Sequence, residues 1–260
     1  MRHLPSGTLP ETHHTPPQFF ISPKMVLGNQ IVLLDEVFRH AIVKRLGVGE
    51  VFRAVLGETV YEARVQYVAG DHIIAAITDR RRTHHPFFRI HLYPALLKGQ
   101  KFDLVVEKAT EIGVDSITPL ITRRTIPRID DEKALARRAR WEKLAKAASE
   151  QCGRPNIPEI RRILPFQEAL EGALEGQLLL AHEHEVLASG TDDGLLGLLR
   201  GVSEVSVLIG PEGGLDADEV RAALARGFKP VSLGPYILKA ETASIAAAAI
   251  LAWCINTPNS

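Results

Sequence analysis

Residues 205–249 read VSVLIGPEGGLDADEVRAALARGFKPVSLGPYILKAETASIAAAA, two strand–loop–helix units back to back. No other stretch limits the possible folds as much. Val205, Val207, Leu208 and Ile209 form an apolar run that stops at Gly210-Pro211, as a buried parallel strand would. Beyond the loop 210–214, Asp216 stands at an N-cap position, ahead of a helix over 217–225, and Gly227 at a C-cap position. The second unit repeats the plan: a strand over 231–233, a loop over 234–241, then an Ala-rich helix from residue 242. Gly210, Gly213 and Gly214 let the backbone turn sharply and come close to a ligand, because no side chain intervenes. Open α/β sheets bind ligands in loops at the carboxyl ends of their parallel strands. A plain strand-to-helix turn ahead of a well-packed helix would carry the same pattern.

The remaining chain fits an α/β protein with a smaller β-rich unit in front. Residues 1–18 are rich in Pro, Ser, Thr and His without periodicity and read as a flexible tail; the pair His13-His14 there is not expected to bind metal. From 19 to 79 the pattern is strand (30–34), helix (36–46), strand (51–55), strand (59–68) and strand (72–78), joined by tight turns, which suggests a small barrel. The basic, Pro-terminated segment 80–86 reads as a linker, giving units of 19–85 and 86–260. After it the chain alternates. A strand is expected over 89–95 and a helix over 101–112 with Phe102, Val105, Val106, Ala109 and Ile112 on one face. A strand over 116–121 leads to the arginine-rich loop 122–128. A long basic helix over 130–152 is closed by Gly153, with Arg154 just beyond its end. A helix over 166–174, a strand over 177–181 and a helix over 195–201 complete the pattern.

Several functional classes are excluded. Cys152 and Cys254 cannot build a disulfide framework or a four-cysteine zinc site, and reduced cytoplasm is the expected compartment. There is no run of 18 apolar residues and no apolar leader, so neither a membrane span nor a secretory signal is expected. His182-Glu183-His184-Glu185 invites a metal reading, but no third ligand stands nearby, so no metal is expected. The patterns GxGxxG, GxxxxGK[ST], GxSxG and HExxH do not occur. A formal net charge of zero hides an asymmetry: residues 80–162 hold 19 Lys and Arg against 10 Asp and Glu, and the rest holds 12 against 21. A basic middle segment is what a polyanion would meet, although solvated helices also carry such charge.

Three motifs in order carry a family resemblance. EKATEIGV (107–114), EQCGRP (150–155) and LIGPEGGL (208–215), the last followed by SLGPYILKAETASIAAAAIL, resemble the SPOUT-class (trefoil-knot) RNA methyltransferases. The nearest likeness is to the bacterial E-type enzymes that methylate uracil N3 in small-subunit (16S) ribosomal RNA. The likeness runs from Phe19 to the C-terminus. It departs at Lys239, where the family usually carries Arg, and at Gln18, where Arg is common; Lys lacks the guanidinium fork.

The resemblance implies a C-terminal trefoil-knot methyltransferase domain, a PUA-like RNA-binding domain in front, and a homodimer to which the last helix, with Leu251, Trp253 and Ile255, offers a packing face. Trp141 is assigned either to that face or to the core. It places S-adenosylmethionine among three loops. The first follows Leu180 and Ala181. The second holds Ile209, Gly210, Pro211, Gly213 and Gly214. The third holds Leu233, Gly234, Ile237, Leu238, Lys239 and Thr242. Methyl transfer needs donor and acceptor held close, in line and dry. Uracil N3 must also lose a proton, which calls for a base or for cations that stabilise the anion. Glu212 and Glu241 are candidate bases; Arg154, Arg124 and Lys239 are candidate cations. Arg45, Arg82, Arg123 and Arg128 are candidate RNA contacts. The rival expectations are a non-catalytic RNA-binding protein on a degenerate methyltransferase fold, and the same chemistry on another RNA.

Overall fold

A computed structural model describes residues 15–83, 88–126, 129–172, 174–182 and 194–256. The chain divides into two units, 1–83 and 84–260.

The first unit is built on alternation. Its strands are β1 (Gln18–Phe20), β2 (Val26–Leu27), β3 (Gln30–Leu33), β4 (Val51–Leu56), β5 (Thr59–Val68) and β6 (Ile73–Arg82), with helix α1 (Asp35–Val43) between β3 and β4. They form one sheet ordered β1-β4-β5-β6-β3-β2, in which only the β1–β4 pair is parallel. Two register shifts in the β5–β6 ladder, at Glu62/Ala63 and Val65/Tyr67, bend the sheet around its apolar face. That face buries Phe19, Ile31, Leu33, Phe52 and Ile73, and His40 of α1 meets the Phe19 ring edge-on at 5.6 Å.

Three expectations fail in this unit. Gln18 is not tail but part of β1, paired with Arg53 and 1% exposed. Residues 80–82 are not linker but the end of β6, where Arg82 pairs with Thr59 and the Arg80 guanidinium lies 5.4 Å from the Tyr61 ring. Ladder hydrogen bonds satisfy a strand's backbone whatever its side chains are, so charge alone hid this extension. Helix α1 stops at Val43, and Arg45 lies beyond it with a left-handed backbone (φ 59°).

The second unit is a parallel α/β layer. In chain order it contains β7 (Arg89–Pro94), α2 (Lys101–Ile112), β8 (Ser116–Ile117), β9 (Leu120–Ile121), α3 (Asp131–Cys152), β10 (Glu159–Ile160), β11 (Leu164–Pro165), α4 (Phe166–Glu171), β12 (Gln177–Ala181), α5 (Gly194–Leu199), β13 (Glu204–Ile209), α6 (Ala217–Ala225), β14 (Lys229–Val231) and α7 (Ala240–Asn256). Its main sheet is ordered β10-β8-β7-β13-β12-β14, with every pair parallel. The central strand β13 is buried from Val205 to Ile209, as its unbroken apolar run requires. The expected strand over 116–121 is two short strands broken at Thr118-Pro119, and the second pairs with β11 instead of joining the main sheet. Proline has no N–H to give a ladder, which accounts for the break. The last strand ends at Val231, two residues sooner than expected, and frees Leu233 for the loop.

Helices α2 and α7 cover the sheet. Phe102, Val105, Val106 and Ala109 of α2 enter one core with Ala247, Ala248 and Leu251 of α7. Trp141 of α3 belongs to this core: it is 2% exposed, lies 4.4 Å from the Phe102 ring and donates to Asp103 at 2.9 Å. Trp253 is 63% exposed. Helix α6 starts on a capping box, with the Asp216 side chain accepting from backbone and Glu219 reaching back to the Asp216 N–H at 2.9 Å.

Candidate functional site at the carboxyl ends of β12, β13 and β14

A cavity of about 380 Å3 opens where these three strands end, within the range of small-molecule sites. Its floor is Ala181 and Ile209. Gly210, Pro211, Glu212, Gly213 and Gly214 form one wall, and Leu233, Gly234, Ile237 and Leu238 another. Leu180 lies beneath, fully buried. A side chain on Gly210 would put its Cβ 3.1 Å from the Leu215 nitrogen, so glycine there lets the turn close without its neighbours giving way. Gly214 takes φ +69°, which glycine adopts at no steric cost.

Of the expected donor-binding residues, Leu180, Lys239 and Thr242 do not line this cavity. The Lys239 carbonyl accepts from the Ala243 N–H at 2.8 Å and is spent in the entry to α7. Pro235, Tyr236 and Ala240 line the cavity from within the expected third loop, over 233–240, while Leu215, Ser232 and Ala243 carried no signal specific enough to single out. His182, considered for metal, lines the cavity instead, directly after Ala181 at the end of β12; its N–H donates to the Val231 carbonyl at 3.1 Å. Position alone, one residue past the carboxyl end of a parallel strand, would have flagged it. Glu183, His184 and Glu185, like His13, His14 and Arg128, lie outside the described residues.

The two carboxylates sit on one cation. Lys101, in the first turn of α2, places its Nζ 3.2 Å from Glu212 and 3.6 Å from Glu241. The Lys98 N–H also points at Glu212, 3.5 Å away. Burial pushes the Glu212 carboxyl up, but backbone N–H groups and Lys101 outweigh it and hold it below the usual carboxylate range. Glu212 lines the cavity; Glu241 does not, and its Oε2 is buried without a hydrogen bond among the described residues. Nothing in the sequence around Lys101 beyond a helix start points to either link, because Glu212 lies 111 positions away.

Three of the arginines singled out in the sequence go to different places. Arg124 lines the cavity, donating to the Gly213 carbonyl at 2.9 Å. Arg123 is engaged by Asp216 at 3.0 Å and Asp218 at 2.6 Å, so acidic partners at the start of α6 offset its charge. Arg154 does not line the cavity: its guanidinium donates to the carbonyls of Thr110 at 2.8 Å and Val114 at 2.9 Å, and burial lowers its pKa from the ordinary value. Within this chain it ties the end of α3 to the end of α2.

One further polar cluster exists near the amino ends of β12 and β13. His91, Glu175 and Glu204 bring ligand-type atoms within 4.8 Å of one another. Arg161 grips Glu175 with two nitrogens at 3.1 Å each, and Arg89 lies 2.9 Å from Glu204. Guanidiniums already occupy both carboxylates, so the cluster is a charge-compensated network.

A parallel α/β unit with a glycine-walled cavity at the carboxyl ends of its strands has the build of a nucleotide-ligand-binding protein. The family described as RNA methyltransferase domain matches residues 83–252. A ribosomal RNA small subunit methyltransferase E of Aquifex aeolicus is 28% identical over 225 residues, covering 86% of this chain and 94% of that protein. A methyltransferase of Legionella pneumophila, solved in complex with its bound cofactor SAM, superposes with a TM-score of 0.78 at 31% identity, covering 91% of this chain and 96% of the other. A ribosomal RNA small subunit methyltransferase E of Neisseria gonorrhoeae, solved bound to S-adenosyl methionine, gives 0.78 at 28% identity with the same two coverages. The chain belongs to the RNA methyltransferase family.

Proposed function

We propose that this protein transfers a methyl group from S-adenosylmethionine to N3 of a uridine in small-subunit (16S) ribosomal RNA. The observation that carries the reading is the cavity, where the backbone-rich loops of three strand ends meet beside an ionised carboxylate and a guanidinium. A cradle that a Cβ at Gly210 would disturb suits a ligand held by backbone. Ile209, Gly210, Gly213 and Gly214 would hold the donor on one side, and Leu233, Gly234, Ile237 and Leu238 on the other. When bound, the donor supplies an electrophilic methyl on a sulfonium with a good leaving group.

This chain's residues then have three tasks. Backbone walls orient and exclude water. Glu212, held below the usual carboxylate range by backbone N–H groups and Lys101, supplies negative charge near a cationic ligand and, because it lines the cavity, is the better-placed candidate to accept the N3 proton; Glu241 shares the same lysine. Arg124 supplies positive charge for the uracil anion or an adjacent phosphate. With Nη1 of Arg154 committed to two backbone carbonyls, a part for it in catalysis falls to the rest of its guanidinium. The first unit is proposed as a PUA-like RNA-binding module with Arg45 and Arg82 among its phosphate contacts, and Arg123 and Arg128 as contacts in the second. A trefoil knot around the cavity, a homodimer and a cytoplasmic location complete the reading.

Calorimetric titration with S-adenosylmethionine, followed by methylation of small-subunit rRNA and nucleoside mass spectrometry, tests it. Donor binding and new 3-methyluridine are expected. No heat at millimolar donor would favour the non-catalytic alternative, and methyl on another nucleoside or another RNA would refute the N3 or small-subunit assignment.

A further inference from the structure

The cavity mouth carries two large side chains that the fold leaves open. Tyr236 is 82% exposed and Ile237 is 73% exposed; they are adjacent, and both line the cavity. Tyr236 is the most exposed large hydrophobic residue among those described. Single exposed apolar residues on a surface need no explanation; this adjacent pair also lines a binding cavity, where a ligand would meet it.

The loop presents them by construction. The Ser232 hydroxyl accepts from the Gly234 N–H at 3.3 Å and donates to the Gly234 carbonyl at 3.0 Å. Gly234 takes φ +139°, a conformation that side-chain-bearing residues rarely adopt, and Pro235 fixes the next φ. The ring is therefore carried on a stiffened turn. The same cavity presents the half-exposed Arg124, held by the Gly213 carbonyl and 3.6 Å from the Asp216 carboxylate. An open aromatic face with a guanidinium in the same cavity is the chemistry that receives an unstacked nucleotide: the ring takes the base and the cation takes negative charge.

We propose that Tyr236 is the stacking platform for the acceptor pyrimidine, with Ile237 flanking it, so that the base leaves its own stack to lie against this ring beside the donor cavity. The assignment rests on the RNA methyl-transfer reading above and adds the residue that receives the base. Stacking uses the ring face and does not need the hydroxyl, so Phe should substitute and Ala should not.

The test uses the full chain, in vitro transcribed small-subunit rRNA and three variants: Tyr236→Ala, Tyr236→Phe and Tyr236→Trp. Tyr236→Ala should raise the Kd and KM for RNA by about 5- to 150-fold, the range that loss of one base–aromatic stack produces. Its Kd for S-adenosylmethionine and its sedimentation mass should not change. Tyr236→Phe should stay near wild type, and the added indole of Tyr236→Trp should be quenched by RNA. Unchanged RNA affinity in Tyr236→Ala overturns the proposal. So does a fall in sedimentation mass, which would make the ring a contact between copies. A parallel loss of donor affinity also overturns it, because the ring would then be donor-site wall. If wild-type protein transfers no methyl, the proposed function fails by itself, and quenching of the Trp variant by RNA still reads the stacking claim.

Discussion

Gly210→Ala and Gly213→Ala, three residues apart in one loop, should behave differently. A Cβ on Gly210 would stand 3.1 Å from the Leu215 nitrogen and 3.2 Å from Leu215 Cγ. Carbon contacts normally settle at ~3.5–4.0 Å. Leu215 cannot retreat easily, being 8% exposed and packed in the core cluster with Tyr93, Leu208 and Phe228. Overpacking of this kind costs ~1–3 kcal/mol, and the smaller conformational freedom of unfolded Ala returns ~0.4–1 kcal/mol. A net loss of ~1–2 kcal/mol follows. If the loop takes up the strain by shifting, the donor cradle shifts with it, and the same energy read as binding is a Kd increase of about 5- to 30-fold. A Cβ on Gly213 meets only Arg124 side-chain carbons at 3.6 and 3.7 Å, an ordinary contact, so stability should stay within ~0.5 kcal/mol of wild type. Urea denaturation and calorimetry with S-adenosylmethionine measure both quantities. Equal tolerance of the two alanines would refute the packing argument, and destabilisation by Gly210→Ala without loss of donor affinity would refute the claim that this turn shapes the cradle.

Lys101→Met should leave Glu212 and Glu241 without their shared cation and weaken donor binding; an unchanged Kd in calorimetry would show that the link does not shape the cavity. The lowered Glu212 pKa has a definite sign: its stabilisation is complete above the unfolded carboxyl's value of ~4.3 and is lost as pH falls through the folded value. Glu212→Gln should therefore flatten the acid limb of a plot of denaturation midpoint against pH, leaving the neutral region's slope unchanged. Asp216→Ala removes the capping-box acceptor and should cost ~1 kcal/mol, read as a Tm drop of roughly 2–4 °C; no drop would mean that Arg123 and Glu219 hold the helix start without it. Arg154→Ala strands the Thr110 and Val114 carbonyls and should lose ~1.5–3 kcal/mol, with donor affinity of the folded protein intact. Full stability with abolished methyl transfer would instead place Arg154 in the reaction.

What the sequence disclosed and what it hid follow from the range of the physics involved. The walls of the cavity were legible because a glycine turn, an N-cap and a buried strand are each decided within a few residues: LIGPEGGLD states its own geometry, and the capping box at Asp216 appeared where the spacing put it. The ends of strands were less legible. Residues 80–82 pair with 59–61 through backbone atoms, which no side-chain pattern reports, and the break at Thr118-Pro119 depends on which sheet the following residues join. Least legible were links across the chain. Lys101 and Glu212 are 111 positions apart, and nothing local to either says that one will lie over the other. Arg154 shows the same limit in reverse. Its place beyond a helix end read as availability, yet the turn closed by Gly153 carries it back onto two carbonyls 44 and 40 residues earlier. A charged group without a local partner is therefore poor evidence for a vacant one: the fold brings acceptors from far along the chain, and only where the described residues bring none within reach of a cavity, as at the open ring of Tyr236, does exposure begin to argue for a ligand.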